Sequence, residues 1–121
     1  MLKLNEPFQV DSSSPFFSPG QILLHKRYNY RAVVVEYDLT FEASDSWYYS
    51  NNTQPRKNQP WYHLLVHDRD HATYAAEENL ELEENEQPIN HPLLNHFFTD
   101  FENGRYIRND LGWKEFWNGL C

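Results

Sequence analysis

One stretch of the chain decides its fold: Tyr28-Asn29-Tyr30-Arg31-Ala32-Val33-Val34-Val35-Glu36-Tyr37-Asp38. Its three consecutive valines are β-branched and lie between tyrosines, which favours an extended strand over residues 30–38. Because the apolar run is continuous rather than alternating, we expect both faces of this strand to be covered. Asn29 tolerates a left-handed backbone, so a tight turn is expected just before the strand.

Four shorter strands are predicted around this one. Residues 21–25 precede it after the turn Ser18-Pro19-Gly20, and residues 61–67, 73–76 and 80–83 follow it. Five short strands at this spacing are typical of an SH3-like, partly open barrel. We therefore expect a mainly β fold: a small five-stranded barrel with a short helical C-terminal extension.

The remaining segments before the extension are an arm and a long insert. Residues 1–15 are expected to form a flexible arm, because Ser12-Ser13-Ser14-Pro15 is rich in turn formers. We assign the barrel domain to residues 16–83. Within it, residues 39–60 have no predicted element, which is typical of a functional or a mobile loop. This insert contains the aromatic cluster Trp47-Tyr48-Tyr49.

Residues 88–121 are expected to form a helical and aromatic extension packed on the barrel. Asn90 or His91 is the expected cap, Pro92 suits the first helical turn, and Gly104 is the expected end. Apolar residues recur between them at helical spacing: Leu93, Leu94, Phe97, Phe98 and Phe101. This stripe either packs on the barrel or binds a partner as an exposed helix. Residues 110–120 carry a second amphipathic pattern.

The composition limits the compartment and the chemistry. The chain has 121 residues, a size typical of one domain, and a formal net charge of −8. Its single cysteine is Cys121, which excludes a disulfide within these residues. No apolar run reaches membrane-spanning length, and the first residues lack the apolar stretch of a targeting signal. We therefore expect a cytoplasmic protein that has no membrane partner.

Four motifs of the chain resemble the HspQ/YccV-like family in their order and spacing. They are Phe17-Ser18-Pro19-Gly20-Gln21, Tyr30-Arg31-Ala32-Val33-Val34-Val35, Gln59-Pro60-Trp61-Tyr62-His63-Leu64-Leu65-Val66 and Tyr74-Ala75-Ala76-Glu77-Glu78-Asn79-Leu80. The later segment that starts at Ile89-Asn90-His91-Pro92 resembles the one that follows this domain in certain F-box proteins. The chain therefore looks like a longer version of the domain.

The resemblance implies a non-enzymatic binding module. The family includes a specificity-enhancing factor of the Lon protease, and a related domain occurs in a chloroplast Clp-protease adaptor. It therefore implies an adaptor or specificity modulator in regulated proteolysis, whose partner is an ATP-dependent protease or its substrate. The family is also named for binding hemimethylated DNA, so DNA is the alternative partner.

A face for DNA or for a partner has few candidate residues. They are Lys26, Arg27, Tyr28, Tyr30, Arg31, Trp47, Tyr48, Arg56, Lys57 and Trp61. Basic side chains contact phosphates, and aromatic rings stack on exposed bases. The negative charge of the chain opposes a phosphate backbone unless these basic residues gather on one face. The aromatic rings alternatively anchor a protein partner or a second copy of the chain, so a homo-oligomer is a further expectation.

Metal and catalytic patterns are weak in this sequence. His63, His67 and His71 are spaced by four, which on a helix favours zinc binding. In the predicted strand, however, His63 and His67 stand more than about 10 Å apart at about 3.3 Å per residue. Carboxylate pairs beside turns, such as Glu77-Glu78, are usually solvated rather than catalytic. We expect no metal, no cofactor and no enzyme activity.

Overall fold

A computed structural model describes residues 15–109 of the chain. The strands of its main sheet are β1 Ile22–His25, β2 Tyr30–Asp38, β3 Trp61–Val66, β4 Ala72–Ala76 and β5 Leu80–Leu82. All neighbours are antiparallel, and the order across the sheet is β4-β3-β2-β1-β5. The sheet does not close, because β4 and β5 each pair on one side only. The predicted mainly β, partly open five-stranded fold is confirmed, and each strand ends within one residue of its predicted bounds.

The central strand β2 forms as its sequence predicts. Val33, Val34 and Val35 are fully buried, since β2 pairs with β1 on one side and with β3 on the other. Asn29 adopts a φ of 57° in the turn before the strand, the left-handed conformation that its side chain tolerates. The turn between β3 and β4 is built in the same way, with Asp68 at a φ of 62°.

Alternate residues of the strands form two hydrophobic clusters on opposite faces of the sheet. The inner cluster contains Phe17, Leu23, Ala32, Val34, Tyr62, Leu64, Ala75 and Leu80. The outer cluster contains Ile22, Val33, Val35, Leu65, Ile89, Phe97, Phe98 and Tyr106. Residues 89–106 therefore complete the outer core and cover one half of that face.

The long insert contains a helix that the sequence pattern did not predict. Helix α1 spans Asp45–Ser50, and the Ser44 hydroxyl caps it by accepting the Trp47 backbone N–H. Tyr48 of this helix is buried against Trp61 and Ala76. The insert therefore covers the half of the outer face of the sheet that residues 89–106 leave open. The expectation of an insert without structure is therefore wrong. None of the helices within residues 15–109 is long and apolar enough to cross a membrane.

The C-terminal segment is mostly a hairpin rather than the predicted helix. Helix α2 covers only Leu94–Phe97, and strands β6 Phe98–Glu102 and β7 Arg105–Arg108 follow it. Its N-cap is Leu93, so the predicted cap at Asn90 or His91 is wrong as well. The tight turn between the strands is Asn103-Gly104, and both residues have positive φ. The helical prediction through Phe101 is wrong, because this Asn-Gly turn closes a β-hairpin.

Two contacts attach the hairpin to the sheet. Arg108 Nη1 donates to the Val35 carbonyl at 3.0 Å, where a β-bulge interrupts the pairing of β2 with β3. The Gly20 carbonyl accepts the Tyr106 backbone N–H at 2.9 Å, and Gln21 forms a bridge with Arg105. A Cβ at Gly20 would lie 2.0 Å from the Tyr106 carbonyl oxygen, so this approach requires glycine.

Two predicted segments fall outside the described residues. They are the flexible arm, apart from Pro15, and the second amphipathic pattern over residues 110–120.

Candidate partner-binding groove

A large concavity in the described part of the chain runs along the open edge of β4. We call it the β4 groove. Its volume is about 1360 Å³, and all five residues of β4 line it. Helix α1 and the insert form one wall. His25, Tyr28 and Tyr30 lie on the other side, and Pro92 and Leu93 lie at the end near His71. The β4 groove is therefore bounded by the insert on one side, by the β1–β2 turn on the other, and by β4 itself.

One wall of the β4 groove is an aromatic cluster centred on Trp61. The Trp61 ring stacks on Tyr74 with centroids 5.3 Å apart, and it meets the edges of Phe41 and Trp47 at 4.9 Å and 6.3 Å. Trp61 is 2% exposed, and its indole Nε1 has no hydrogen-bond partner in the described structure. A buried donor without an acceptor costs about 1–3 kcal/mol, and such groups are uncommon in native proteins.

A buried carboxylate lies at the end of β2 beside this cluster. Asp38 Oδ2 accepts the Tyr74 hydroxyl at 2.7 Å and lies 3.3 Å from His63 Nε2. The His63 and Tyr74 rings stack with centroids 4.5 Å apart. Burial, and then the hydrogen bond to Asp38, raise the pKa of the Tyr74 hydroxyl well above its ordinary value. Tyr74 is therefore fixed as a hydrogen-bond donor to Asp38, and its ring is held in the wall.

The opposite side of the β4 groove is a stack of three rings. His25 lies between Tyr28 and Tyr30, each with its centroid 4.9 Å away, and the Tyr30 hydroxyl is 2.8 Å from Thr73 Oγ1. His25 Nδ1 accepts the Tyr28 backbone N–H, so this nitrogen carries no proton. Burial, and then the charge of Arg27, lower the pKa of His25. Burial raises the pKa of Tyr30. The stack is therefore neutral and links the β1–β2 turn to β4.

Of the ten candidate residues, the aromatic ones line the β4 groove and the basic ones do not. The aromatic candidates all line the β4 groove: Tyr28, Tyr30, Trp47, Tyr48 and Trp61. The basic candidates are all absent from its lining: Lys26, Arg27, Arg31, Arg56 and Lys57. The aromatic rings are thus brought together, whereas the basic side chains do not gather with them.

Two of the basic candidates form internal contacts. Arg31 Nε lies 3.2 Å from Glu83 Oε2, and its Nη2 donates to the carbonyls of Asn85 and Gln87. Arg31 therefore attaches residues 83–87, which follow β5, to β2. Lys57 Nζ donates to Asp45 Oδ1 at 2.7 Å and lies 4.6 Å from the Tyr48 ring centroid. Lys57 therefore links the later part of the insert to helix α1.

The other three basic candidates are exposed. Lys26 and Arg27 lie in the β1–β2 turn, and Arg56 lies in the insert. Arg27 and Pro55 line the same small surface depression, so the turn and the insert are neighbours there. Glu78 lines that depression as well and places a negative charge beside them.

The charge of the β4 groove is acidic. Its lining includes the carboxylates of Asp38, Glu42 and Asp70 and no lysine or arginine. Such a lining repels phosphate and attracts basic side chains. Cations also interact favourably with the faces of aromatic rings. The groove therefore suits a chain with basic and apolar side chains.

The three histidines that are spaced by four do not lie on a helix. His63 lies in β3, whereas His67 and His71 flank the β3–β4 turn, where each lies within 4.0 Å of an aspartate oxygen. Among residues 15–109, no three His, Cys, Asp or Glu side chains are arranged to hold a metal ion.

The side chains of the β4 groove that sequence reasoning missed include His25, Asp38 and Tyr74. Asp38 ends the central strand, and the pairing of β2 with β3 places it opposite Trp61. The pairing of β3 with β4 places Tyr74 opposite His63. These two positions therefore follow from the pairing register of the strands. For Asp38 the register depends on the bulge in β2 between Val34 and Glu36.

These features define a small, partly open β-barrel domain with an aromatic and acidic groove at one edge of its sheet. The chain belongs to the YccV-like family. The family model described as hemimethylated DNA-binding protein YccV like matches residues 15–105, which include the C-terminal hairpin as far as the start of β7. The resemblance drawn from the four motifs is thereby confirmed.

Curated relatives carry the same domain within longer chains. F-box only protein 21 of Homo sapiens and that of Pongo abelii are each 36% identical to the chain over 96 residues, and that of Mus musculus is 35% identical. The match covers 77% of this chain and 15% of each relative. The predicted resemblance to F-box proteins is also confirmed. No solved structure matches the chain significantly.

Proposed function

We propose that this chain is a non-enzymatic, cytoplasmic binding module that holds a segment of a protein partner in the β4 groove. In this role it acts as an adaptor or specificity modulator in regulated proteolysis, and its partner is an ATP-dependent protease or a substrate of that protease. The observation that carries the proposal is the division of the candidate residues: the aromatic rings line one acidic groove, and the basic side chains do not.

The energetics of interfaces support a protein partner. Tryptophan and tyrosine are enriched among the residues that dominate binding free energies, particularly where they lie in a pocket. The β4 groove presents such rings on both sides, from Trp47 on one wall to Tyr28 and Tyr30 on the other. Tyr28 is 52% exposed and is therefore accessible to a partner. The carboxylates around them steer a basic segment toward the rings.

A reconstituted degradation assay tests this function. A Lon-type or Clp-type protease is mixed with a panel of fluorescent substrates, and turnover is measured with increasing amounts of the chain. We expect the chain to change turnover of a subset of substrates, chiefly through KM, because an adaptor changes binding rather than chemistry. Unchanged turnover and unchanged substrate binding across the panel would refute the adaptor role.

Helix α1 offers a matched pair of variants for this assay. Trp47 lines the β4 groove, whereas Tyr49 lies two residues away on the same helix, is 68% exposed and does not line it. We expect Trp47→Ala to raise the half-maximal concentration of the chain at least about tenfold, as for an interface anchor. Tyr49→Ala is expected to leave it unchanged. Equal effects of the two variants would place the binding surface elsewhere.

Recognition of hemimethylated DNA is the second candidate, which the description of the family favours. Of the ten candidate residues, Lys26, Arg27 and Arg56 are the exposed basic side chains available for phosphates. Three phosphate contacts give a slope of about −3 in log affinity against log salt concentration. Anisotropy of unmethylated, hemimethylated and fully methylated duplexes across a salt series measures this slope. Absence of binding at low salt would remove this candidate.

A further inference from the structure

The two edges of the main sheet differ in how they are protected. β5 has three residues and carries Glu81, and Glu83 and Glu84 follow it, so its edge is short and charged. β4 has five residues with the sequence Ala-Thr-Tyr-Ala-Ala, which contains no charge, no proline and no bulge. Natural sheets usually block exposed edges with charges, proline or bulges, because an open edge pairs with other chains. The edge of β4 lacks all three.

The register of the sheet identifies the backbone groups that this edge offers. Glu77 N–H donates to the Pro60 carbonyl, and Val66 N–H donates to the His71 carbonyl, so these are hydrogen-bonded pairs across β3 and β4. Hydrogen-bonded and non-hydrogen-bonded pairs alternate in antiparallel sheets. The N–H and C=O groups of the three intervening non-hydrogen-bonded residues of β4 therefore point away from β3. These residues are Ala72, Tyr74 and Ala76.

No other strand within residues 15–109 pairs with that side of β4. Instead the β4 groove runs along it, and β4 is about 17 Å long at about 3.3 Å per residue. This length matches five or six residues of an extended chain. Three of the five residues of β4 are alanine, whose small side chains let another backbone approach.

The sides of the groove suit the two faces of an extended segment. Successive side chains of a strand point to opposite faces. For a segment laid along β4, the side chains of one face would meet Trp47 and Tyr74. Those of the other face would meet Tyr30, whose hydroxyl contacts Thr73. The carboxylates of Glu42 and Asp70 complement basic side chains, and the lining contains no arginine or lysine to repel them.

We propose that β4 accepts an extended, basic segment of a protein partner as an additional strand of the sheet. Backbone hydrogen bonds to Ala72, Tyr74 and Ala76 hold this segment, and the aromatic walls select its apolar and basic side chains. The inference rests on the proposed function, since it specifies how the same groove recognises its partner.

A synthetic probe tests this mode of binding directly. The probe is a fluorescein-labelled hexapeptide of alternating lysine and valine, and its binding to the whole chain is followed by anisotropy. We expect it to bind at least tenfold more tightly than a hexapeptide of alternating glutamate and valine. N-methylation of single amides is expected to weaken binding at every second position, because only alternate amides of an added strand face β4.

Two proline variants of the protein test the edge of β4, as N-methylation tests the peptide. Ala72→Pro removes an outward N–H from the edge of β4 without removing a hydrogen bond to β3. Leu82→Pro is the matched control. The Glu83 N–H donates to the Ile22 carbonyl, so the N–H of the preceding residue, Leu82, points away from β1. We expect Ala72→Pro to weaken binding of the lysine–valine hexapeptide at least tenfold, and Leu82→Pro to leave it unchanged. Urea unfolding confirms that both variants are folded.

The outcomes separate this inference from the proposed function. Absence of hexapeptide binding, or an N-methyl effect without a period of two, overturns strand addition even if the degradation assay succeeds. Binding with the expected period upholds strand addition, even if no protease responds. A dimer whose dissociation constant rises in Ala72→Pro alone assigns the edge to a second copy of the chain and overturns the peptide proposal. If Ala72→Pro is unfolded, the N-methyl series decides.

Discussion

Replacement of Phe97 by alanine tests whether the C-terminal segment, made of α2, β6 and β7, belongs to the core of the domain. Phe97 is fully buried in the outer cluster, where it packs with the sheet residues Val33, Val35 and Leu65. Truncation of a buried phenylalanine to alanine costs about 3–5 kcal/mol, from lost transfer free energy and from the cavity that remains. A chain of this length has a free energy of unfolding of about 6–18 kcal/mol at about 0.05–0.15 kcal/mol per residue. Phe97→Ala therefore removes a large part of the stability.

Urea unfolding followed by tryptophan fluorescence measures this loss. Ile107→Ala is the matched control, because Ile107 lies on β7 of the same C-terminal segment but is 41% exposed. We expect Ile107→Ala to change the free energy of unfolding by less than about 1 kcal/mol. The unfolding transition of Phe97→Ala is expected to remain single and to move to lower urea. A loss below about 1 kcal/mol, or a separate early transition, would refute a core shared by the C-terminal segment and the sheet.

Three further predictions concern single residues. Gly20→Ala is expected to unfold the domain or to shift its urea midpoint strongly, because its Cβ meets the Tyr106 carbonyl oxygen; a wild-type midpoint would contradict this contact. Arg31→Met is expected to lower the free energy of unfolding by about 2 kcal/mol, because it removes hydrogen bonds of a charged group. Its affinity for duplex DNA is expected to be unchanged, and a fall in that affinity would show that Arg31 contacts DNA. Because the folded state lowers the pKa of His25, the unfolded state binds the proton more readily. Stability is therefore full above the unfolded value of about 6.5 and falls as the pH drops below it, and His25→Gln is expected to remove this part of the pH dependence.

The strands of the barrel were predictable because their signals are local. Three buried valines define β2, and Asn29 supplies the left-handed residue that its turn requires. Propensity, apolar pattern and turn chemistry agree at these positions, so no tertiary information was needed to place the strand.

The C-terminal hairpin was missed because a bulge imitates helical spacing. The pairing of β6 with β7 shifts register between Phe98 and Asp100, which adds one residue to the strand period of two. Phe98 and Phe101, three residues apart, therefore both contact the Tyr106 ring, at centroid distances of 5.2 Å and 4.5 Å. Spacing by three is the helical pattern on which the prediction relied.

The β4 groove was only half predictable. Composition identified the aromatic rings, but their assembly depends on contacts between distant parts of the chain. Helix α1 was missed because it spans only six residues and its apolar content is concentrated in Trp47-Tyr48-Tyr49 rather than spread along a stripe. The internal pairing of Arg31 with Glu83 joins residues that are far apart in sequence, so a count of charges overstated the cations available for DNA.

The bridge between Gln21 and Arg105 brings the two ends of the domain side by side. A unit whose entry and exit points are adjacent can be placed within a host protein without separating the flanking parts of that host. Such a unit needs only two short connections to a host chain, and β4, whose edge we propose to bind a partner, belongs to neither connection. The chain itself matches 15% of the longer F-box only protein 21 of Homo sapiens.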